Sequence, residues 1–329
     1  MSVPLQIAEA PGRADPDRAA ARSGSILALL GHLGVLQFSG EDAETFLQGQ
    51  LSCDVAGVDL RSGSYGAYCS PKGRMLANFL LWREEAGFHM ALSRDIALSV
   101  QKHISKFVLR AKVKVSDASD TIVMAGAAGP KADQALRELF PDFPEHPSEV
   151  SRRPGTGTVI KLKDGRFLLA LMPSGAVALR QKLANSLVPV GAGAWRWLDI
   201  RNGVPWVTAA TQDQLVPQMA NFELLGGVSF HKGCYTGQEV VARMQHLGKL
   251  KRRMFLANVP AEAKAGDPLY SDDLGDQASG MVVNAEASPD GGHDLLAAVQ
   301  TASRDGSIVH LKALAGPPLD FLALPYAIT

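Results

Sequence analysis

Two stretches of this chain run through the same order of apolar and polar positions. Residues 75–82 are apolar, break at the polar turn Glu84-Glu85-Ala86-Gly87, resume at 88–92 and pass into helical spacing from about 94 to 107. Residues 158–163, the turn Asp164-Gly165, residues 167–172 and a helical stretch from about 174 to 187 repeat that order. Asp-Gly between apolar runs predicts a tight hairpin, because both residues tolerate a positive φ. Ile96, Val100, Ile104 and Phe107 recur along one helix face, with Ser93 placed to cap it. Strand, turn, strand, helix twice over predicts two related α+β halves. From about Lys251 the pattern changes to short apolar runs at 254–259, 280–283, 295–299, 308–311 and 321–324, parted by Gly, Pro and Asp turns. Such strands, with no convincing helix among them, predict a small barrel or sandwich. Residues 1–25 lack apolar periodicity and read as a flexible tail, which leaves 26–248 as the α+β region and 249–329 as the C-terminal β-barrel domain.

Composition narrows the function classes. Lys+Arg and Asp+Glu both count 33 in 329 residues, so no global field draws in a polyanion, and a general nucleic-acid binder is disfavoured. No run approaches the ~18 apolar residues of a membrane span, and the short apolar run at 26–30 lacks the basic flank of a signal segment, so the expected setting is the cytoplasm, with no membrane partner. The three cysteines, Cys53, Cys69 and Cys234, form no CxxC pair and give no metal-ligand spacing.

The chemistry concentrates in Val228-Ser-Phe-His-Lys-Gly-Cys-Tyr-Thr-Gly-Gln-Glu-Val-Val-Ala-Arg243, which reads as strand, tight loop, helix. Thr236 and Glu239 have the spacing of a capping box, and Gly248 is a natural stop. Capping does not account for Lys232-Gly233-Cys234 or Gly237-Gln238. Cys234 stands just before the expected helix, two residues after Lys232, a pattern that predicts a setting favouring thiolate. The bland alternative is a buried, inert small hydrophobe. His231 is a weaker candidate for a base toward Cys234. Arg243, His246, Lys249, Lys251, Arg252 and Arg253 form an acid-free basic run, either a solvated helix end or a site for carboxylate or phosphate. Trp195, Trp197 and Trp206 flank Asp199 and Arg201 and line a pocket or fill the core.

Pro217-Gln-Met-Ala-Asn221, Leu225-Gly-Gly-Val-Ser-Phe230 and Lys232-Gly-Cys-Tyr-Thr-Gly-Gln-Glu239 together resemble the signature of the YgfZ family, folate-binding relatives of the glycine cleavage T-protein. Phe46-Leu-Gln-Gly-Gln-Leu-Ser-Cys-Asp54, Cys69-Ser-Pro-Lys-Gly-Arg-Met75 and Arg201-Asn-Gly-Val-Pro205 resemble further blocks of that family, over residues 26 to about 300. The resemblance implies a T-protein-like ring of two interwoven ferredoxin-like α+β domains plus the small β-barrel. It also implies a tetrahydrofolate pocket and a role in sustaining iron–sulfur enzymes, including those that modify tRNA, with such enzymes or assembly proteins as partners. On that resemblance Cys234 is the reactive residue, and Lys232, Gly233, Tyr235, Gly237, Gln238, Glu239, Arg243, Lys72, Gly73 and Arg74 are the folate-site residues; no metal site is implied. The aminomethyltransferases carry an acidic pair after a Gly-rich turn, whereas Lys72-Gly-Arg-Met-Leu-Ala-Asn78 has no acid. Aminomethyl transfer therefore has no evident general acid here, and turnover is left open. A folate-dependent one-carbon transferase and a tRNA-binding module using the basic run are the two alternatives.

Overall fold

The computed structural model describes residues 14–246 and 250–328. The described chain opens with helix α1 (Ala14–Ser23) and strand β1 (Ile26–Leu29), then leaves for β2 (Leu33–Ser39), α2 (Ala43–Gln48), β3 (Gly63–Cys69), β4 (Met75–Glu84), β5 (Gly87–Ser93), α3 (Arg94–Ser105) and β6 (Lys114–Asp117). It returns through β7 (Val123–Ala128), α4 (Ala132–Arg137), β8 (Val150–Arg153), β9 (Gly157–Lys161), β10 (Phe167–Leu171), α5 (Pro173–Leu183), β11 (Val188–Val190) and α6 (Ala192–Arg201). A long irregular segment then leads to α7 (Gln238–His246). The C-terminal part holds β12 (Arg252–Val259), β13 (Pro268–Ser271), β14 (Ala278–Ala287), β15 (His293–Gln300), α8 (Thr301–Gly306), β16 (Val309–Leu311) and β17 (Asp320–Leu322).

Three sheets result. The first has the order β11-β1-β7-β10-β9-β8, the second β3-β4-β5-β2-β6, and the third β16-β13-β14-β15-β12-β17. The first two are interwoven, since β1 belongs to one, the next five strands to the other, and β7 to β11 to the first again. All pairings are antiparallel except β1 with β11. In the third sheet Leu319 N donates to Val309 O at 2.8 Å and Leu311 N to Pro317 O at 3.0 Å, so the edge at β16 meets the chain entering β17 and the sheet closes as a barrel.

Side-chain alternation explains how the layers share one core. In β10 Leu168 and Ala170 point into the large central cluster, while Phe167, Leu169 and Leu171 pack under α4 and α5. Both faces are covered, so the strand reads as an unbroken apolar run. In β12 Met254 and Leu256 join that same central cluster, and Phe255, Ala257 and Val259 fill the barrel. The barrel is thereby packed against the α+β body through alternate residues of one strand.

Two local expectations are corrected. Within the stretch expected as a flexible tail, residues 14–23 form α1: Arg18 and Ala21 are buried, and Asp17 Oδ2 accepts Gly191 N at 2.8 Å. An Ala- and Arg-rich helix that contributes so little to the core leaves scarcely any apolar period to read. In the C-terminal part the short α8 interrupts the strands, with Ser303 Oγ donating to Asp273 at 2.9 Å. Among the described residues no helix is long and apolar enough to cross a membrane.

Candidate functional site

The sequence blocks singled out above are one another's contact partners. The β3–β4 turn is closed by Gly73 N to Ser70 O and Ser70 N to Arg74 O, each 2.8 Å. Gly73 has φ +71° and Gly237 φ +83°, a region that side chains with a Cβ avoid. The two glycines touch: a Cβ on Gly237 would stand 2.5 Å from Ser70 O and 3.0 Å from Gly73 Cα, and one on Gly73 2.8 Å from Val240 Cβ. Ser70 Oγ donates to Asp213 Oδ1 at 2.8 Å, Arg74 Nη1 to Asp213 O at 3.2 Å, and Met75 N to Leu215 O at 2.8 Å. Buried Asn78 donates to Pro205 O and accepts Val207 N, both at 2.7 Å. Gln218 Nε2 donates to Val241 O at 2.8 Å, and Asn221 Nδ2 to Met254 O at 2.7 Å.

Lys232 is the pin of this assembly. Its ammonium donates to Gln48 O, Leu51 O and Cys53 O, each at 2.7 Å, and lies 5.4 Å from the centre of the Tyr235 ring. All three protons are thus committed to backbone carbonyls at the end of α2, and partial burial lowers the lysine's pKa. Ser52 completes the clamp: its hydroxyl donates to Gly227 O at 2.6 Å and accepts Ala67 N at 2.7 Å. Cys234 is exposed. Neither feature expected to favour its anion is in place, because Lys232 is turned into the carbonyl socket and α7 begins only at Gln238. The capping box is also displaced. The bend at Gly237 starts the helix one residue later than Thr236 would, and neither Thr236 nor Glu239 makes a side-chain hydrogen bond among the described residues.

A cavity of about 450 Å³ lies where the layers meet. Its walls come from His32 between β1 and β2, Ser93 to Asp95 at the start of α3, Asp199 and Ile200 on α6, Val204 to Thr208, and Asn284 on β14. Most of its polar groups are already engaged. Asp199 accepts Arg166 Nη2 at 2.7 Å and Trp206 Nε1 at 3.0 Å, and burial raises its carboxyl to about 6 against the pull of Arg166. Asn284 exchanges two bonds with the Trp206 backbone, at 2.8 and 2.9 Å. Asp95 Oδ2 accepts Ala209 N at 2.9 Å. Both ring nitrogens of His32, and Thr208 Oγ1, are buried without a partner. Burial, and secondarily Arg196, push the imidazole down to about 3, so it is neutral.

Residues 13–150 match the GCVT N-terminal domain family. The tRNA-modifying protein YgfZ of Sodalis glossinidius is 32% identical over 301 residues, covering 89% of this chain and 90% of that protein. The chain belongs to the YgfZ family. The protein of the same name from Colwellia psychrerythraea is 30% identical, covering 91% of this chain and 92% of its own. Among solved structures, the aminomethyltransferase T of the glycine cleavage system from Bartonella henselae superposes with a TM-score of 0.77 at 18% identity, over 94% of this chain and 88% of that one. The YgfZ chain thus has the T-protein fold expected from its sequence.

Within this YgfZ chain the expected site residues separate into two places. Gly237 locks against Gly73, Lys232 and the Tyr235 ring beside it sit at the α2 loop, Gly233 is exposed, and none of these, nor Gln238, lines the 450 Å³ cavity. Lys72, Glu239 and Arg243 are exposed. The basic run is not one surface: Arg253 is buried and paired with Glu223, and Lys249 lies, with Leu247 and Gly248, outside the described residues. Cys53 and Cys69 are buried among apolar side chains, each thiol pushed up to about 12, as core residues rather than ligands. Of the tryptophans, Trp206 lines the cavity, while Trp195 and Trp197 are core. Sequence reasoning missed His32, Asp95 and Thr208, which stand alone in sequence with no motif to mark them.

Proposed function

We propose that this chain binds tetrahydrofolate, or a derivative, in the cavity between its three sheets and acts in the cytoplasm as an accessory protein for the assembly or repair of iron–sulfur enzymes, including tRNA-modifying ones. The cavity carries the reading. At about 450 Å³ it falls in the range of sites that enclose small ligands, and it joins an apolar wall to a few convergent polar groups. Ile200, Val204 and Trp206 suit the flat face of a pterin, and Arg94 and Arg196 suit the carboxylates of a glutamate tail. Cys234 then serves as an accessible thiol for client contact, in a loop held by Lys232 in its carbonyl socket and by Gly237 against Gly73. The names of the relatives support a setting in tRNA modification. The test is calorimetric titration with tetrahydrofolate, together with complementation of a strain lacking the family member by Cys234→Ala. Binding with failed complementation is expected; full rescue by Cys234→Ala would remove the thiol from the mechanism.

A second reading has one observation in its favour. Asp95 and Asp199 place carboxyls in the cavity wall, supplying an acid that the Lys72-to-Asn78 turn lacks. A folate-dependent one-carbon transferase would turn over methylene- or aminomethyl-folate and lose that turnover in Asp95→Asn.

A further inference from the structure

We infer that the end of α3 and the turn after it, with the edge strand β6 that follows, form a docking surface for an unpaired stretch of RNA. From Lys102 to Lys114 no residue of this surface lines the cavity read as the folate site. The choice of RNA rests on the proposed setting among tRNA-modifying enzymes, whereas the need for a polyanion with open bases comes from charge and exposure.

Positive charge gathers here in a chain that has no net charge. Residues 96–116 hold Lys102, Lys106, Arg110, Lys112 and Lys114 and no acid, while the whole sequence sets 33 cations against 33 acids. Lys102 and Lys106 stand one turn apart at the end of α3, and Gln101 Nε2 donates to Val115 O at 3.2 Å, tying that helix to β6. From 110 to 114 exposure alternates, so Arg110, Lys112 and Lys114 face solvent while Ala111 and Val113 are partly covered. Among the described residues Lys112 pairs with Glu41, and the other four cations have no acid partner. An uncompensated cluster of this kind is what the phosphates of a nucleic-acid strand neutralise.

Two apolar side chains stand among these cations: Phe107 is 44% exposed and Leu109 87%. Leu109 has φ +45°, a left-handed conformation that residues with a Cβ seldom adopt, and Ala111 N to Val108 O at 2.8 Å closes the turn around it. The Phe107 ring is backed by His103, with ring centres 5.4 Å apart, and His103 Nδ1 shares a hydrogen bond of 2.7 Å with the Tyr68 hydroxyl. A ring braced on one side and open to solvent is a platform on which an unpaired base stacks, with the surrounding cations on its backbone. A paired duplex keeps its base faces covered. An anionic lipid surface would attract the same cations, but anchoring there needs apolar side chains that penetrate it, and Phe107 is held back against α3.

The experiment titrates the full chain into a fluorescein-labelled single-stranded RNA of about 16 nucleotides and follows anisotropy between about 50 and 200 mM salt. Binding that weakens steeply with salt is expected. Lys102→Gln/Lys106→Gln/Arg110→Gln is expected to lower affinity at least about tenfold at the lower salt, and to shrink the slope of log K against log salt by about 2, at ~0.7 per cation removed. Phe107→Leu leaves the charge alone and is expected to weaken binding about five- to tenfold with the slope unchanged. Lys131→Gln/Lys182→Gln/Lys264→Gln removes the same charge at exposed positions elsewhere and is expected to bind as wild type does. No binding by the wild type, equal losses in the two triple variants, or a preference for the fully paired duplex would overturn the inference. Co-sedimentation with phosphatidylserine vesicles that appears in place of RNA binding, and is lost in the Lys102/Lys106/Arg110 variant, would overturn it in favour of a membrane. Tetrahydrofolate titration is expected to be the same in that variant and wild type. Absence of folate binding in both would strike the folate reading and leave the RNA result standing. Melting curves of the variants separate lost affinity from lost folding.

Discussion

Replacing His32 with leucine removes two buried nitrogens that nothing in the protein satisfies, so the ligand-free variant is expected to be at least as stable as wild type at pH 7. The larger effect appears in acid. The folded imidazole is held down to about 3, whereas in the unfolded chain a histidine titrates near 6.5. Between those values the unfolded state binds the extra proton, so stability rises with pH and is lost as pH falls through the window. The slope approaches about 1.4 kcal/mol per pH unit, and from pH 7 to pH 5 the loss integrates to about 2 kcal/mol. Asp199 works in the opposite sense. Its carboxyl is raised to about 6, so between about 4 and 6 the folded state holds the extra proton and acid stabilises it. Wild type alone shows only the sum. The His32→Leu variant keeps Asp199, and subtracting one protein from the other isolates the histidine. Urea unfolding of both at pH 7 and pH 5, followed by tryptophan fluorescence, is expected to give a wild-type-minus-variant difference that drops by about 2 kcal/mol on acidification. Parallel pH dependence in the two proteins would show the imidazole to be solvated or paired, and would refute the reasoning.

Lys232→Met leaves three carbonyls without their cation and is expected to lower the unfolding free energy by about 2–4 kcal/mol, read as a melting temperature several degrees lower; Lys232→Arg is not expected to restore it, because a planar guanidinium cannot converge on three carbonyls as an ammonium does. Gly237→Ala forces a Cβ onto a left-handed residue at about 1–2 kcal/mol and drives it against Ser70 O. Its effect in thermal melts is expected to be non-additive with that of Gly73→Ala, since the two share one contact. Arg253→Met strands the Glu223 carboxylate in the interior and is expected to destabilise by about 3–5 kcal/mol, with Arg253→Met/Glu223→Met recovering most of it in urea titrations. Cys234→Ala is expected to melt within about 1 °C of wild type, because an exposed side chain carries little packing energy.

The parts of the fold governed by local rules were readable in advance. The β4–β5 hairpin with α3, and β9–β10 with α5, follow from turn residues and apolar spacing within a single window of sequence. β13 escaped notice because it is four residues long, begins at Pro268 and lies among turn residues. The exchange of strands between the first two sheets follows from long-range pairing, and the family resemblance supplied it where periodicity could not. At the site, the motif blocks were visible but not what they do to one another. The socket of Lys232 consists of backbone carbonyls, which any residues would offer, so only the path of the α2 loop reveals it. Asp199 and Trp206 were flagged by a local crowding of aromatics. His32 and Thr208 matter through the partners they lack, a property that belongs to the folded state alone.

The strand exchange also has a consequence for how the molecule is made. β1 leaves the ribosome before the other described strands, yet its partners are β7 and β11, which follow only after the whole second sheet has been synthesised. The second sheet is contiguous in the chain from β2 to β6 and can close while translation continues. Ile26, Leu27 and Ala28 must meanwhile wait uncovered, an apolar thread trailing from a nascent domain. Vectorial synthesis therefore exposes this protein to trapping at one definable stage, and the interval between the emergence of β1 and of β7 is where a chaperone or a change in elongation rate would most alter its yield.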